Sequence, residues 1–318
     1  MIDLSTFTTR VRVGLFNCYY LCMMTSANRA NSPANLCALA KLVSNAGLQR
    51  IMFHDGFRIY SKQMKSLLIK TGAELEPKSS FSEMITVCYD HLLKNYRHEY
   101  LYKVALLNSY VVKNYSLSDT ILLNEFRIGK SKADTVLING TNKVFEIKTE
   151  LDSPERLNTQ IKDYYKGFSE VYIVIHHSMI DKYIRLIDEQ VGIMIFTAEN
   201  KIQTFRPATS CHALLETSEM MKALRKKEYL QLVKGLCGFV PSATPVQLFK
   251  SCLAALNDFS AEQVQSQFLK IIKLRINPLT NELVQDPIIP PALRFSCYDY
   301  NLDRDDYRSL VQRLNYQL

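Results

Sequence analysis

What this chain of 318 residues lacks narrows its class before any motif does. No stretch approaches the roughly 20 apolar residues of a membrane-spanning helix. Arg10 and Arg12 precede an apolar run from Val13 to Met24 in the manner of a secretion signal, but Asn17 interrupts the run and Asp3 stands where a basic start is needed. The expectation is a cytoplasmic protein without a membrane partner. There is no low-complexity tract and no internal repeat. Eight cysteines (Cys18, Cys22, Cys37, Cys88, Cys211, Cys237, Cys252, Cys297) show no paired zinc spacing and read as buried free thiols. Gly129-Lys130-Ser131 looks like the tail of a phosphate-binding loop, but that motif needs glycine at 124, where the chain has asparagine, so nucleotide binding is rejected. Without a secretion signal, the glycosylation patterns at Asn114 and Asn139 mean nothing.

What is present is a globular composition, 47% hydrophobic and 22% charged, with enough chain for one large domain or two to three small ones. The formal charge of +8 is unevenly spread. Residues 1–96 hold 11 Lys/Arg against 6 Asp/Glu, residues 97–176 hold 11 against 10, 177–208 hold 4 against 4, and 209–318 hold 13 against 11.

The most informative stretch is Glu125 to Tyr164. Ala133–Ile138 and Lys143–Lys148 are short β-rich runs around Asn139-Gly140-Thr141-Asn142, a hairpin signal. A loop centred near Gly140 places Asp134 opposite Glu146, and strand alternation puts Glu146 and Lys148 on one face. The other face carries Ala133, Thr135, Leu137, Phe145 and Ile147. The charged face also carries Val136, Ile138 and Val144, so both faces are covered, and charges buried there need partners. A hard divalent cation suits two such carboxylates.

Ser153-Pro154 then reads as the start of a helix to about Lys166, with Leu157, Gln160, Ile161, Tyr164 and Phe168 facing inward. Gln160 is out of place on that stripe unless it meets something polar. Val171–Ile175 and Gly192–Phe196 read as strands, Ser178–Gln190 as a helix, and His176-His177 as a solvated strand end rather than metal ligands. Ahead of the hairpin, Arg97–Lys113 reads as a helix and Leu117–Arg127 contains a strand ending at Glu125. This glutamate either supplements the carboxylates or sits at a strand end near Lys130 and Lys132.

The order helix, three strands, helix, strand, with Asp134 on the second strand and Glu146-Ile147-Lys148 on the third, resembles the PD-(D/E)XK nuclease superfamily. Gln160-x-x-x-Tyr164 is similar to the motif of its RecB-like branch, and Ala133 stands where the name-giving proline would be. More narrowly, Glu99-Tyr100 through Gly167-Phe168 resembles a family of little-characterised bacterial proteins placed in that superfamily. The resemblance covers about a quarter of the chain. It implies an α/β fold with a central mixed sheet of the restriction-endonuclease-like type and helical N- and C-terminal additions.

It further implies Mg²⁺ or Mn²⁺ held by Asp134, Glu146 and the carbonyl of Ile147. Lys148 would orient the attacking water, Gln160 and Tyr164 would steady the site, and Glu99 would reach it from the first helix. Glu99 also suits an exposed i,i+4 pair with Lys103, and both readings stand. The expected activity is cleavage of DNA in defence against phage or foreign DNA, or in a mobile element. The alternative is a binding module on the same fold that does not cleave.

The ends explain themselves less well. Residues 1–96 read as a basic helical segment that either packs simply on the core or serves as the first candidate for gripping nucleic acid, with a run at Leu15–Met24, a loop at Asn28–Pro33, a helix ended by Gly47, one at Ser61–Lys70, and one capped by Ser80 or Ser82 and running to Asn95. Residues 97–208 form the expected core. Residues 209–318 read as helices at Thr217–Lys234, Thr244–Leu256, Ser260–Ile276 and Asp303–Gln317, with a proline-rich bend at Pro287–Pro291. These ends are also where protein partners would dock. Lys222, Arg225, Lys226 and Lys227 form the one dense basic cluster, read as a solvated helix face.

Overall fold

A computed structural model of the chain describes residues 32–54 and 56–317. The expected run at Leu15–Met24 and most of the loop at Asn28–Pro33 lie outside the described residues, as do Cys18 and Cys22. The chain divides into two compact units, one comprising residues up to Arg97 together with those from Arg304, the other His98–Asp303. The helices between Thr217 and Tyr300 thus belong with the sheet, and only Arg304–Leu314 joins the N-terminal unit.

The first unit is helical: α1 (Pro33–Leu42), α2 (Asn45–Phe53), α3 (Phe57–Lys70), α4 (Phe81–Asn95) and the C-terminal Arg304–Leu314. Local chemistry sets most of these ends. Ser32 accepts from the Asn35 N–H, with Pro33 in the first turn, and Ser80 forms a capping box with Glu83. Gly47 does not end a helix. It sits in the first turn of α2 behind the Ser44 cap, where a Cβ would lie 2.3 Å from the Lys41 carbonyl, so glycine is what lets α2 follow α1 so tightly. Leu39, Val43, Leu48, Ile51, Met64, Leu68, Phe81, Met84 and Leu310 are fully buried and form this unit's interior.

The second unit is an α/β structure built on one six-stranded mixed sheet with order β1-β2-β3-β4-β5-β6. It opens with α5 (Glu99–Ala105), continued by a π-helical turn (Leu106–Val111) and a last helical turn to Asn114. The strands β1 (Ile121–Ile128), β2 (Ser131–Asn139) and β3 (Thr141–Lys148) form an antiparallel meander. The crossover helix α6 (Leu157–Tyr164) leads to β4 (Glu170–His176), parallel to β3, and β5 (Gly192–Phe196) is parallel to β4. The edge strand β6 (Ile202–Arg206), antiparallel to β5, has no counterpart in the sequence reading. Gly140 turns the β2–β3 hairpin at φ +66°.

Two expected helices differ. Ser153 does not cap α6, which begins later at Leu157. In place of Ser178–Gln190 there is only a 3₁₀ turn (His177–Met179) and α7 (Ile180–Tyr183). Farther on come α8 (Thr217–Lys222), α9 (Lys226–Cys237), α10 (Leu248–Ala254), α11 (Ala261–Lys273), α12 (Pro278–Gln285) and α13 (Pro291–Tyr300). The expected single helix Thr217–Lys234 is broken because Glu228 folds back on the Arg225 N–H and starts a new helix there. Ser260 and Gln263 form the expected capping box on α11.

The sheet is covered on both faces. On one, Tyr110 meets Phe145 and Tyr102 meets Phe196. On the other, Val144, Ile173 and Ile175 pack with Leu157, Ile161 and Tyr164 of α6, and Phe126, Phe168 and Phe268 bring α11 into the same cluster. Of the described cysteines, all free, Cys88, Cys252 and Cys297 are buried and Cys37, Cys211 and Cys237 are half-buried. Among the described residues no helix is long and apolar enough to cross a membrane.

Candidate functional site

The β2–β3 register pairs Thr135 with Phe145. One step further along the hairpin, Asp134 stands beside Glu146. Because side chains alternate, Glu146 and Lys148 share the face covered by α6. Both are buried, and the Lys148 ammonium lies 2.8 Å from Glu146 Oε1.

The helix completes this centre. Gln160 and Tyr164 are one turn apart on α6, and the turn brings both onto β3. Gln160 Nε2 donates to Glu146 Oε1 at 2.6 Å, while its Oε1 accepts from Lys148 at 3.1 Å. The Tyr164 hydroxyl lies 2.5 Å from Glu146 Oε2 and 3.1 Å from the Lys132 carbonyl. Burial, then the Glu146 charge, holds the Tyr164 hydroxyl far above its usual pKa, so it is a fixed donor at any ordinary pH.

Asp134 is held differently. Its Oδ2 accepts the Ile147 N–H at 2.7 Å, and among the described residues no hydrogen bond reaches Oδ1. Burial, then the negative charges of Glu146 and Glu99, raises its pKa well above the usual carboxylate range, against the opposing pull of Lys103 and the Ile147 N–H. Glu99, half-exposed, pairs with Lys103 at 2.5 Å, so it forms the i,i+4 pair and still adds its field to Asp134. Lys103 is itself buried and donates to Asn124 Oδ1 at 2.8 Å.

Asp134, Glu146, Ile147, Lys148, Gln160 and Tyr164 thus meet at one place, with Glu99 at its margin. The Oδ1 side of Asp134, which no hydrogen bond reaches among the described residues, beside the Glu146 carboxylate is the kind of oxygen pair a hard cation takes, so the donor types suit Mg²⁺ or Mn²⁺. Glu146 is already satisfied by three donors. Among the described residues no group of three or more His, Cys, Asp or Glu side chains is placed to hold a metal ion.

Two features escaped the sequence. Glu125 is mid-strand, since β1 keeps one register with β2 on both sides of it, yet its φ is +54°, and its carboxylate pairs with Lys132 at 2.8 Å. That hydrogen bond, ahead of the other influences, lowers its pKa. Asp163 of α6 accepts from Lys130 N–H (3.1 Å) and Ser131 hydroxyl (2.7 Å) and pairs with Lys166 (3.0 Å), tying the helix to the β1–β2 turn. His176 and His177 lie close at the end of β4 with their rings tilted by 41°, and His176 approaches Glu150 at 3.8 Å.

The described residues therefore define an α/β protein with a buried carboxylate–lysine centre on its sheet. The family model described as Bacteriophage P4 protein cII matches residues 93–294, more than half of the chain, and the chain belongs to that family. Protein cII of Enterobacteria phage P4 is 25% identical over 190 residues, covering 57% of this chain and 69% of that protein. Among solved structures, a protein of unknown function from Silicibacter pomeroyi aligns at 14% identity with a TM-score of 0.25, over 29% of this chain and 62% of that one; so slight a likeness carries no conclusion.

Proposed function

We propose that the sheet-bearing unit is a metal-dependent nuclease that hydrolyses phosphodiester bonds of DNA, on a core of the PD-(D/E)XK, restriction-endonuclease-like type. The order of elements supports this: a helix, an antiparallel meander, a crossover helix and a parallel strand, with Asp134 on β2, Glu146 and Lys148 on β3 and the Gln160-x-x-x-Tyr164 pair on α6. The observation that carries the reading is the buried Lys148 ammonium, 2.8 Å from Glu146 and 3.1 Å from Gln160, beside the Asp134 carboxyl, whose burial and then negative neighbours disfavour its ionisation.

Asp134 and Glu146, with the Ile147 carbonyl, would hold Mg²⁺ or Mn²⁺, which supplies charge neutralisation on the phosphate and activation of water. Lys148 would orient the attacking water and stabilise developing charge. Gln160 and Tyr164 fix the Glu146 carboxylate through one donor to each oxygen. The phage relative supports a mobile-element setting. The test is incubation with plasmid and linear DNA plus Mg²⁺ or Mn²⁺. Cleavage by the parent and none by Glu146→Ala or Lys148→Ala is expected; no cleavage by the parent, or equal cleavage by all three, sinks the proposal.

A second reading, a module that binds without cleaving, draws on the saturation of Glu146 by the chain's own donors. Calorimetric titration separates the two, since only the nuclease requires Mg²⁺ or Mn²⁺ binding that depends on Asp134.

A further inference from the structure

A groove of about 530 Å³ runs the whole length of β1, from Ile121 to Gly129, and is walled by residues of α8 and the turn after it, the segment following α11 and the end of α13. β1 is an edge strand. Its beginning is closed by the chain itself, where the Tyr298 hydroxyl takes the Leu122 N–H at 3.0 Å and Asp299 takes the Asn124 amide at 3.1 Å. The other end is basic. Arg275 lies over the Phe126 ring and is neutralised by Glu228 at 2.6 Å, and Lys222 by Glu219 at 2.6 Å. Arg127 and Arg225, which also line the groove, are exposed and have no ion pair among the described residues.

The basic surface continues past the groove. Lys226 and Lys227, exposed and likewise without an ion pair among the described residues, form the first turn of α9 directly after Arg225. Cations at the positive end of a helix work against its dipole, so fold stability does not explain them. The groove borders the carboxylate centre without including its residues: it is lined by Glu125, across the β1–β2 pair from Asp134, and by Asn124, whose Oδ1 holds the Lys103 ammonium.

From this juxtaposition we infer that the β1 groove and the Arg225–Lys227 turn hold a nucleic-acid backbone and lead it to Asp134 and Glu146. This rests on the nuclease reading for its destination, and on the cations at and just beyond the groove's basic end for its grip. Arg127 and Arg225 in the groove, continued by Lys226 and Lys227 beyond it, suit a chain of phosphates passing the proposed phosphodiester-cleaving centre. An acidic peptide would use the same cations and is an outcome of the test.

The experiment measures anisotropy of labelled single-stranded and duplex oligonucleotides with the full chain in EDTA, where metal-dependent cleavage is silent. The triple variant R225E/K226E/K227E and R127E are expected to weaken binding ten-fold or more, and to lower the slope of log affinity against log salt by about one for each phosphate no longer neutralised. The neutral triple R225A/K226A/K227A should fall between, and thermal melting confirms that each variant folds. K62E/K70E, in the helical N-terminal unit, should bind as the parent does. Whether the single strand or the duplex binds more tightly identifies the form held. No binding by the parent, loss with K62E/K70E instead, or equal binding of a polyglutamate peptide overturns the inference. Parental binding without cleavage in Mg²⁺ would defeat the nuclease reading and leave the groove assignment standing.

Discussion

The Lys148 ammonium lies 2.8 Å from the carboxylate of Glu146, two residues earlier on the same strand, and both side chains are buried. Two charges taken out of water stabilise the fold only as a pair, because either one alone is left uncompensated. Lys148→Ala is therefore expected to lose about 3–5 kcal/mol in urea unfolding. The double variant Glu146→Gln/Lys148→Met should recover most of that while remaining inactive on DNA. If the double variant is as unstable as the single, the pair is not the source of the loss.

Asp134 gives the opposite sign. A carboxyl whose pKa is raised in the folded state adds stability that is complete below its unfolded pKa and is lost as pH rises through the folded value. Burial and the charges of Glu146 and Glu99 place Asp134 in that class, so its contribution to stability declines as pH rises above the unfolded carboxyl range. Asp134→Asn should melt higher than the parent near neutrality, with the advantage vanishing at about pH 4, where ordinary carboxyls protonate. Added Mn²⁺ should raise the parent's melting temperature, because a ligand that binds the folded state stabilises it, and leave the variant unmoved. Equal Mn²⁺ shifts in both proteins would remove Asp134 from the cation site.

Tyr164→Phe removes the hydroxyl 2.5 Å from Glu146 Oε2 without changing the ring that packs with Val136 and Ile161. A buried carboxylate oxygen then loses its donor, at a cost of about 1–3 kcal/mol. Cleavage should fall through kcat rather than KM, since the hydroxyl holds Glu146 and is itself buried. A rise in KM alone would instead place Tyr164 against the substrate.

The parts of this arrangement that are legible in the sequence are those carried by local rules. Asn139-Gly140 marks the hairpin, the period of two places Asp134 beside Glu146 and Lys148 on the Glu146 face, and helical spacing aims Gln160 and Tyr164 inward. Ser80 and Ser260 announce their helices by reciprocal capping. What is illegible depends on interactions between distant residues. Glu125 reads as a strand end because nothing local reveals a mid-strand residue at φ +54°. β6 is exposed along Gln203, Thr204 and Phe205 and exists by pairing with β5. The helical pattern over Ser178–Gln190 is overridden after one turn. Asp163 carries no local signal of its role, since the turn residues it holds, Lys130 and Ser131, lie some 30 residues earlier.

The Asp163 anchor yields a test of how the site is held. Gly129 turns β1 into β2 at φ +59°, and a Cβ there would stand 2.6 Å from Asp163 Oδ1. Gly129→Ala therefore carries a backbone penalty of about 1 kcal/mol and pushes away the carboxylate that anchors α6. Asp163 is pulled up by its burial, but the Ser131 hydroxyl, Lys166 and the Lys130 N–H outweigh this and lower its pKa. A lowered carboxyl pKa means stability present above the unfolded value and lost as pH falls through the folded one, so Asp163→Asn should flatten the acid limb of the stability curve. Gln160 and Tyr164 ride on the same helix. Both variants are thus expected to reduce cleavage more than their stability losses explain, with Lys148 and Glu146 untouched. Full activity of Gly129→Ala at a temperature where it remains folded would show that α6 keeps its place without this anchor.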